Sequence, residues 1–411
     1  MTVADQKQLR QVFSVTSGAT PESGNSEYWD GDIRWATPED ISSVDGYWLR
    51  DTRRKITRAG YESCGTTMAP RGSIVLTKRA PIGQLAILGN DACSNQGCFL
   101  LTPRRETDTR FFYYWLCAKA DHLQVLGRGS TFMELSTDEL KSLSVPHPSL
   151  ARQRGIADYL DRETARLDAL VAAKERVLGL LAEKRRALIT RAVTRGLDPR
   201  APLRDSAIPW LGEIPAHWET ERARWLFRER DQRSETGEEE LLTVSHLTGV
   251  TPRSEKDVNM FEAETTEGYK ICFAGDLVIN TLWAWMGAMG VSPVKGIVSP
   301  AYNVYCPGPR LDPRFVDALV RIPVFAQDVT RYSKGVWSSR LRLYPEGFFE
   351  ALFPVPSIDE QRAIVAHIEK ETAKLDALRT ATERTISLLK ERRAALIAAA
   401  VTGGIYVESA A

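Results

Sequence analysis

The chain has few of the residues that build metal sites or disulfide frameworks. Its 411 residues include six cysteines, with no Cys-x-x-Cys pair, and five histidines that lie far from them in sequence. Structural zinc sites need closely spaced Cys and His ligands, and disulfide-stapled domains are small and much richer in cysteine. We therefore expect no metal site, and reduced cysteines of which some are buried.

Long apolar runs and an excess of one charge are absent as well. No stretch approaches the roughly 20 apolar residues of a membrane span, and the first residues lack the apolar segment of a secretory signal. We therefore expect no membrane partner and a cytoplasmic location. Lys and Arg number 54 against 53 Asp and Glu, a formal net charge of +1, so nucleic-acid binding would have to depend on local basic clusters.

The motifs of common enzymes are also missing. Gly127 to Thr131 resembles a phosphate-binding loop but lacks its lysine and its glycine spacing. Residues 299–302, Ser-Pro-Ala-Tyr, resemble the Asp/Asn/Ser-Pro-Pro-Tyr tetrapeptide of adenine methyltransferases, but Ala301 replaces the second proline. No nucleophile elbow or zinc-protease motif is present. We expect no catalytic residue in this chain.

An internal repeat organises the chain. Residues 148–196 and 356–404 align without a gap at an offset of 208, with roughly half of the positions identical. Pro148-Ser149 and Pro356-Ser357 are typical helix starts, and Gly196 and Gly403-Gly404 are typical helix ends. Each copy therefore predicts a helix of about 65–70 Å.

Apolar residues recur alternately four and three apart in both copies, the a/d spacing of a left-handed coiled coil. The predicted seam consists of Ile156, Leu160, Leu167, Leu170, Val177, Leu181 and Leu188 in the first copy, and Ile364, Ile368, Leu375, Leu378, Leu389 and Leu396 in the second. Each helix needs a partner for its seam, and the other copy is the nearest candidate. We expect an intramolecular antiparallel pair, although each seam could instead pack on its own globular domain.

The remaining chain predicts two globular domains of mixed α/β class. The expected boundaries are 1–147 for the first domain, 148–198 for the first helix, 199–355 for the second domain, 356–404 for the second helix and 405–411 for a tail. Strand-like runs at Gly72–Thr77 and Gly275–Asn280 and helix-like runs at Thr109–Lys119 and Pro313–Val320 support this class. Gly72, Gly83 and Ser94 have counterparts in the same order at Gly275, Gly287 and Ser299. The duplication thus extends weakly into the domains.

Basic residues are clustered locally in both domains. Residues 50–79 carry eight Lys or Arg and only two acids, a local excess of +6, and residues 329–345 carry four Lys or Arg and no acid. Such runs are often solvated surface, but one cluster in each domain favours contact with a polyanion.

Several short phrases along the chain carry a family resemblance. They include Gly31-Asp32-Ile33-Arg34-Trp35 and Ser94-Asn95-Gln96-Gly97 in the first domain. The second domain opens with Trp210-Leu211-Gly212-Glu213-Ile214-Pro215, and Gln153-Arg154 and Gln361-Arg362 stand at the two helix starts. Together these phrases resemble the specificity subunits of type I restriction–modification systems, although Arg152 departs from the glutamate that usually precedes this Gln-Arg pair.

The resemblance implies two target recognition domains on a pair of long helices that set their separation. Each domain would read one half of a split, asymmetric target in double-stranded DNA. The partners implied are two methylation subunits and the translocating restriction subunits. S-adenosylmethionine, ATP and Mg would be bound by these partners, with no cofactor on this chain.

Polar and aromatic residues at corresponding places in the two domains are the predicted base contacts, since Arg and Lys can bond guanine, and Asn and Gln can bond adenine. They are Lys78, Arg79, Asn95, Gln96, Arg128, Ser130 and Thr131 in the first domain, and Asn280, Trp283, Trp285, Lys334, Ser338, Ser339, Arg340 and Arg342 in the second. Trp283 and Trp285 could instead belong to the core.

Two other functions remain open on the sequence alone. The near-neutral charge and the two seams are also compatible with a coiled-coil scaffold that does not read DNA sequence. The tetrapeptide at 299–302 leaves a stand-alone methyltransferase as a weaker alternative.

Overall fold

The chain forms two compact units in a computed structural model, which describes residues 6–44, 46–79, 81–127, 134–255, 265–335, 341–405 and 407. Unit 1 comprises Met1–Glu175 and Arg384–Ala411, and unit 2 comprises Arg176–Glu383. Each unit therefore combines a globular part with portions of two long helices. The predicted ends of these helices lie a few residues beyond the observed ends, and the predicted domain boundaries stay predictions.

The described part of unit 1 contains short strands and helices between its N-terminus and the first long helix. The strands are β1 (Gln6–Gln8), β2 (Phe13–Ser17), β3 (Trp29–Ala36), β4 (Trp48–Leu49), β5 (Lys55–Ile56), β6 (Ile74–Thr77), β7 (Leu85–Leu88), β8 (Cys93–Ser94), β9 (Cys98–Pro103) and β10 (Ser144–Pro146). The helices are α1 (Leu9–Val12), α2 (Pro38–Ser42), α3 (Arg58–Glu62), α4 (Thr109–Ala118), α5 (Ala120–Leu126), α6 (Thr137–Ser142) and the long α7 (Leu150–Arg195), which continues into unit 2. A 3-10 turn covers Ser26–Tyr28.

The central sheet of unit 1 has five strands in the order β2-β9-β6-β7-β4. Every residue of β6 is buried, because successive side chains point to opposite faces and both faces are covered. Ile74 packs in one cluster with Phe112 of α4, whereas Val75 packs in another with Leu100. A three-stranded sheet, β5-β3-β8, and the pair β1-β10 complete the described strands of this unit.

Unit 2 is built from elements in nearly the same order. Its described strands are β11 (Leu203–Asp205), β12 (Glu213–Pro215), β13 (Glu219–Arg222), β14 (Phe227–Arg230), β15 (Leu242–Ser245), β16 (Gly249–Pro252), β17 (Lys270–Cys272), β18 (Leu277–Asn280), β19 (Met289–Val291), β20 (Gly296–Val298), β21 (Tyr302–Pro307) and β22 (Leu352–Val355). Its helices are α8 (Ala223–Leu226), α9 (Pro313–Val320), α10 (Pro323–Val329), α11 (Pro345–Glu350) and the long α12 (Ile358–Thr402), which continues into unit 1. Single 3-10 turns cover Arg253–Glu255, Ala284–Met286 and Thr330–Tyr332.

The central sheet of unit 2, β14-β21-β18-β19, has the same order and antiparallel pairing as β2-β9-β6-β7. Glycines that the repeat paired also share a left-handed backbone, with φ of 88° at Gly72 and 94° at Gly275, and of 90° at Gly83 and 86° at Gly287. Side chains other than glycine are strained in that region. The mixed α/β class is confirmed, and the duplication extends to the fold of both globular parts.

In unit 1 a buried glutamine joins the globular part to the start of α7. The amide nitrogen of Gln153 donates to the carbonyl oxygens of Pro148 at 2.8 Å and Glu106 at 3.2 Å. Its side-chain oxygen accepts the backbone N–H of Asp108 at 2.8 Å. Asp108 is itself the N-cap of α4, so one side chain ties the start of α4 to the start of the long helix.

Gln361 makes the same three contacts in unit 2. Its amide nitrogen donates to the carbonyl oxygens of Pro356 at 2.9 Å and Arg310 at 2.8 Å, and its oxygen accepts the N–H of Asp312 at 2.8 Å. Asp312 is the N-cap of α9. The glutamine of the Gln-Arg phrase therefore has the same structural role at both helix starts, where it joins the long helix to the globular part.

The long helices run antiparallel within unit 1. A carboxylate oxygen of Asp168 in α7 lies 2.9 Å from Nε of Arg393 in α12, and a carboxylate oxygen of Glu175 lies 3.9 Å from Nζ of Lys390. Residue numbers rise along one helix while they fall along the other.

The same direction holds within unit 2. Arg185 of α7 lies 2.7 Å from Asp376 of α12. The end of α7, at Ala192 and Val193, shares a core with the start of α12 at Ile364. The predicted antiparallel pairing is confirmed in each unit.

The predicted heptad seam is partly wrong. Leu170, Val177 and Leu378 are 43%, 39% and 55% exposed. The remaining seam residues are buried or half-buried: Ile156, Leu160, Leu167, Ile364, Ile368 and Leu375 are buried, and Leu181, Leu188, Leu389 and Leu396 are half-buried.

One row of buried positions in α12 recurs every eleven residues. Ile364, Leu375, Ile386 and Ile397 of α12 are all buried. An ordinary helix has 3.6 residues per turn, so a heptad stripe drifts around it, whereas eleven residues fill three turns almost evenly. For this reason, apolar residues spaced alternately four and three apart do not all lie on the face that packs against the other helix.

Threonines occupy positions that the heptad pattern left outside the seam. Thr164 and Thr372 are 4% and 7% exposed, and each hydroxyl donates at 2.7 Å to the carbonyl oxygen four residues earlier, in Leu160 and Ile368. Such a bond satisfies the hydroxyl inside the helix pair, so burial of threonine costs little there.

The six cysteines carry free thiols. Cys93, Cys98 and Cys272 are fully buried, and burial raises the pKa of the Cys93 and Cys98 thiols to about 12. Among the described residues, no group of three or more His, Cys, Asp or Glu is arranged to hold a metal ion. No helix in the described ranges is both long and apolar enough to cross a membrane.

Candidate nucleic-acid interface

One end of the central sheet in unit 1 gathers the first set of predicted contact residues. β2 ends at Ser17, β6 ends at Thr77 and β9 begins at Cys98, and the strand register places these three termini side by side. We call the residues that follow or precede these termini, 17–20, 78–79 and 95–97, together with Glu134, the unit 1 sheet end.

Four predicted residues lie together at this sheet end. Lys78 and Arg79 follow β6, and Asn95 and Gln96 precede β9. The backbone N–H of Lys78 donates to the carbonyl oxygen of Gly97 at 2.9 Å, which fixes the two segments next to each other.

Glu134 forms ion pairs with both cations of the unit 1 sheet end and offsets one of their two charges. One of its carboxylate oxygens lies 3.0 Å from Lys78 Nζ, and the other lies 3.0 Å from Arg79 Nε. Lys78 also donates to the Ser17 hydroxyl at 3.1 Å, and its side chain is only 13% exposed. Partial burial acts to raise the pKa of Glu134, but the hydrogen bonds from Lys78 and Arg79 outweigh it and lower that pKa. Arg79, with 49% of its side chain exposed, is the more accessible cation.

The two amides of this sheet end differ in accessibility. Asn95 is half-buried, and its side-chain oxygen accepts the N–H of Gly97 at 3.0 Å. Gln96 is exposed, and its oxygen accepts the hydroxyl of Thr20. Gln96 can therefore offer its amide to a base edge, whereas Asn95 mainly shapes the turn.

The basic cluster at 50–79 is largely paired with acids or aromatic rings. The ion pairs are Arg53 with Glu39, Lys55 with Asp51, Arg58 with Glu62, and Lys78 and Arg79 with Glu134. The guanidinium of Arg54 lies 3.6 Å from the centre of the Trp29 ring. The excess of +6 counted along the sequence is thus reduced by Glu39 and Glu134 from outside the segment.

The corresponding sheet end of unit 2 surrounds the end of β18. Asn280 ends β18 and pairs in register with Tyr302, which begins β21. We call residues 280–287, with Tyr302, Lys334 and Arg342, the unit 2 sheet end. Asn280 is only 6% exposed, its amide nitrogen donates to the Tyr302 hydroxyl at 3.0 Å, and its oxygen accepts the N–H of Leu282 at 3.3 Å. Both of its polar groups hold the turn, and its predicted contact with a base stays a prediction.

Arg342 is the cation at the centre of the unit 2 sheet end. Its Nε donates to the hydroxyl of Thr281 at 3.2 Å, and its guanidinium lies 5.6 Å from the Tyr344 ring. Lys334 pairs with Arg342 through backbone hydrogen bonds of 2.9 Å in both directions. These two predicted residues are therefore adjacent.

Glu134 and Arg342 occupy equivalent places in the two units and carry opposite charges. They are separated by the repeat offset of 208. The residue after each one donates its backbone N–H to the sheet end: Leu135 to Lys78 at 2.9 Å, and Leu343 to Thr281 at 3.0 Å. The two units thus share this backbone hydrogen bond, and they differ in the charge of the residue before it, which is negative at Glu134 and positive at Arg342.

Two tryptophans lie on the turn after β18. The ring centres of Trp283 and Trp285 are 6.1 Å apart at an interplanar angle of 22°. Trp283 is 50% exposed, whereas Trp285 is half-buried and donates its indole N–H to the carbonyl oxygen of Leu282 at 3.1 Å. Core packing is therefore excluded for Trp283.

Six predicted contact residues lie outside the described residues. They are Arg128, Ser130 and Thr131 in the first domain, and Ser338, Ser339 and Arg340 in the second.

The tetrapeptide at 299–302 is a turn that leads into β21. The N–H of Ala301 donates to the Ser299 hydroxyl at 3.3 Å, and the Ala301 carbonyl oxygen accepts the hydroxyl of Thr281 at 2.8 Å. Tyr302 is half-buried and bonded to Asn280. Its ring is therefore part of the sheet end, not a free platform for an extruded base.

Sequence reasoning missed Glu134, Thr20 and Thr281, which hold the predicted residues in place. The repeat contained the signal for Glu134, since the offset that pairs 127–131 with 335–339 also pairs 134 with 342. The two threonines follow strand ends, and only the strand register reveals their partners.

Each unit thus presents a different set of polar groups at an equivalent sheet end, which is the arrangement of a two-domain recognition protein. Residues 4–178 match the family described as the type I restriction modification DNA specificity domain. This match confirms the expected resemblance to specificity subunits of type I restriction–modification systems.

Curated relatives agree with this family. The type I restriction enzyme MjaIX specificity subunit of Methanocaldococcus jannaschii is 35% identical over 158 residues, which cover 38% of this chain and 37% of the relative. The chain therefore spans little more than a third of the length of that relative. The type I restriction enzyme EcoBI specificity subunit of Escherichia coli is 23% identical over 344 residues, 76% of this chain and 69% of the relative.

Solved structures share the fold over nearly the whole chain. A chain from a study of complex assembly and conformational transition of the type I R-M system aligns with a TM-score of 0.71 and 16% identity, covering 98% of this chain and 99% of that chain. The HsdS subunit of Thermoanaerobacter tengcongensis aligns with a TM-score of 0.57 and 16% identity, covering 98% of each chain.

Proposed function

We propose that this chain is the non-catalytic, sequence-specific DNA-binding subunit of a type I restriction–modification complex. It would recognise a bipartite, asymmetric target and direct methylation and restriction subunits to it. The observation that carries the proposal is the pair of equivalent sheet ends with different chemistry, in two globular parts that are each joined to a long helix by an equivalent buried glutamine. Equal anchors suit identical partners, and unequal sheet ends suit two different half-sites.

The partners in this proposal are double-stranded DNA, two methylation subunits and the restriction subunits. S-adenosylmethionine, ATP and Mg would be bound by the partner subunits. The equivalent portions of α7 and α12 that begin at Gln153 and Gln361 would contact the two copies of the methylation subunit.

The test is selection from a random-sequence duplex library with the full chain and its methylation subunit. Two enriched blocks of different sequence at a fixed spacing are expected. A library recovered without enrichment would contradict the proposal and favour a coiled-coil scaffold, which the extensive local pairing of charges also suits. Methyl transfer by the purified chain alone would instead identify a stand-alone methyltransferase.

Arg79 and Arg342 should each affect only one half-site. Arg79→Ala is expected to weaken target binding by about 1–3 kcal/mol and to relax selectivity in one block of the target. Arg342→Ala should have the same effects on the other block, because each Arg can bond a guanine edge. Competition binding with single-base variants of the selected target measures both effects. Arg58→Ala, which removes an exposed arginine paired with Glu62 within α3, is the control. Loss of selectivity in both blocks from one substitution would contradict separate reading.

Glu134→Gln should strengthen binding to non-target DNA. The substitution removes the carboxylate that pairs with Lys78 and Arg79, so these cations can pair with about one more DNA phosphate. The slope of log K for DNA binding against log salt concentration should therefore steepen by about one. Titrations of a non-target duplex at several salt concentrations measure the slope. Glu62→Gln, which frees Arg58, is the matched control. An unchanged slope would mean that the cations of the unit 1 sheet end do not face DNA.

A further inference from the structure

The unit 2 sheet end exposes an apolar surface that neither polar contacts nor the core account for. Leu282, Trp283 and Met286 are 46%, 50% and 37% exposed, and they lie within five consecutive residues. We call these three residues the Trp283 ledge. Contiguous exposed apolar residues of this kind mark binding surfaces in soluble proteins.

The ledge is held rigidly by its backbone. The N–H of Trp283 donates to the carbonyl oxygen of Asn280 at 3.0 Å, and the Trp283 carbonyl oxygen accepts the N–H groups of Met286 at 3.0 Å and Ala288 at 3.1 Å. Gly287 closes the 3-10 turn in a left-handed conformation, with φ of 86°. The backbone that carries Trp283 is therefore ordered before binding, which lowers the ordering cost of the turn on binding.

Groups that suit nucleic acid adjoin the ledge. Thr281, next to Leu282 in sequence, accepts a hydrogen bond from Arg342, a cation whose partner here is a neutral hydroxyl. The Trp285 ring lies next to that of Trp283, with the ring centres 6.1 Å apart. An apolar ring beside a cation fits a stack of bases, because the ring can stack on bases while the cation bonds the edge of a neighbouring base.

Among the described residues of the equivalent connection in unit 1, 78–79 and 81–84, no matching ledge is formed. The β6–β7 and β18–β19 connections each contain a left-handed glycine, Gly83 or Gly287, one residue before their end. In unit 1 the residue before that glycine, Ile82, is only 4% exposed, so its apolar side chain faces the core. In the equivalent turn of unit 2, the apolar side chains of the Trp283 ledge are exposed to solvent.

We propose that Trp283 inserts between two bases of the half-site that unit 2 reads, with Leu282 and Met286 covering the bases it separates. This inference rests on the proposed function and adds a mode of recognition to it. Apolar wedges of this kind unstack one step and kink the duplex, at a cost that depends on the sequence of that step. Unit 2 therefore selects for a deformable step, such as a pyrimidine–purine step, in addition to the base edge that Arg342 contacts.

The experiment uses the full chain with its methylation subunit and duplexes that carry the selected target. Single adenines are replaced in turn by 2-aminopurine, whose fluorescence rises when it loses its stacking partner. A severalfold rise is expected at one step of the unit 2 half-site and at no step of the other half-site. Trp283→Ala should abolish the rise and weaken target binding by tenfold or more, while Trp283→Phe should retain most of both.

Trp225→Ala is the matched control, because Trp225 is a 73% exposed tryptophan on α8 of the same unit. It should leave the fluorescence and the affinity unchanged, and circular dichroism checks that each variant is folded. Selective binding by the wild type with no fluorescence rise at any step would overturn the wedge and leave the proposed function standing. Absence of selective binding by the wild type would instead contradict the proposed function.

A third outcome would assign the ledge to protein contact. If Trp283→Ala removed the methylation subunit from the complex while the wild type showed no fluorescence rise, the wedge would be wrong and the ledge would be a docking surface for that subunit. Analytical size-exclusion chromatography of the variant with its partner separates this outcome from loss of DNA affinity.

Discussion

Gln361→Ala is expected to destabilise unit 2 by about 3 kcal/mol or more. The substitution leaves the N–H of Asp312 and the carbonyl oxygens of Arg310 and Pro356 without their partner, and each buried group left unpaired costs about 1–3 kcal/mol. Hydrogen exchange followed by mass spectrometry measures the effect, because it reports the protection of peptides from each unit separately.

Gln153→Ala is the matched variant, since Gln153 makes the same three contacts in unit 1. It should lower protection in unit 1 peptides and spare those of unit 2. Arg362→Ala, at an exposed neighbour of Gln361, is the control and should cost less than about 0.5 kcal/mol. Equal loss of protection in both units from either glutamine variant would contradict the local role of these residues.

Removing residues 171–181 and 380–390 together should abolish binding to the parent target while each half-site sequence remains readable. The deletion takes one eleven-residue repeat from each helix and shortens both by about 16 Å. The pairs Asp168–Arg393 and Arg185–Asp376 are retained. Affinity for the parent target should fall about 100-fold or more, because one half-site can no longer be engaged together with the other.

Repeating the library selection with the shortened chain provides the measurement. The same two blocks are expected at a new spacing, and a change in the blocks themselves would contradict the role of the helices as spacers. A nine-residue deletion, 172–180 with 381–389, is the control, because nine residues turn a helix by about half a turn. It should misalign the buried face and prevent correct folding, which size-exclusion chromatography would detect.

The repeat predicted more of the fold than the composition did. It paired the left-handed glycines Gly72 and Gly275, and it located the helix starts where Gln153 and Gln361 are buried. These features are local or repeated, so a pattern along the chain reveals them.

The features that the sequence did not reveal depend on contacts between distant segments. Glu134 pairs with Lys78 and Arg79 from more than fifty residues away, so counting charges along the chain overstated the basic surface. Asn280 was predicted as a base contact from its residue type, but its bond to Tyr302 follows from strand register. The heptad pattern mispredicted part of the seam because it included apolar residues such as Leu170 and Leu378, which are exposed. On a straight helix with 3.6 residues per turn, positions seven apart shift gradually away from the face that contacts the partner helix.

The buried thiols give each unit its own chemical reporter. The pKa of about 12 that burial confers on Cys93 and Cys98 leaves almost no thiolate near neutral pH, and the thiolate is the form that alkylating reagents attack. In unit 2 burial likewise raises the pKa of Cys272. Alkylation at these positions therefore proceeds only when a unit opens, and peptide mapping of the label would time the opening of the two units in one sample of unmodified protein.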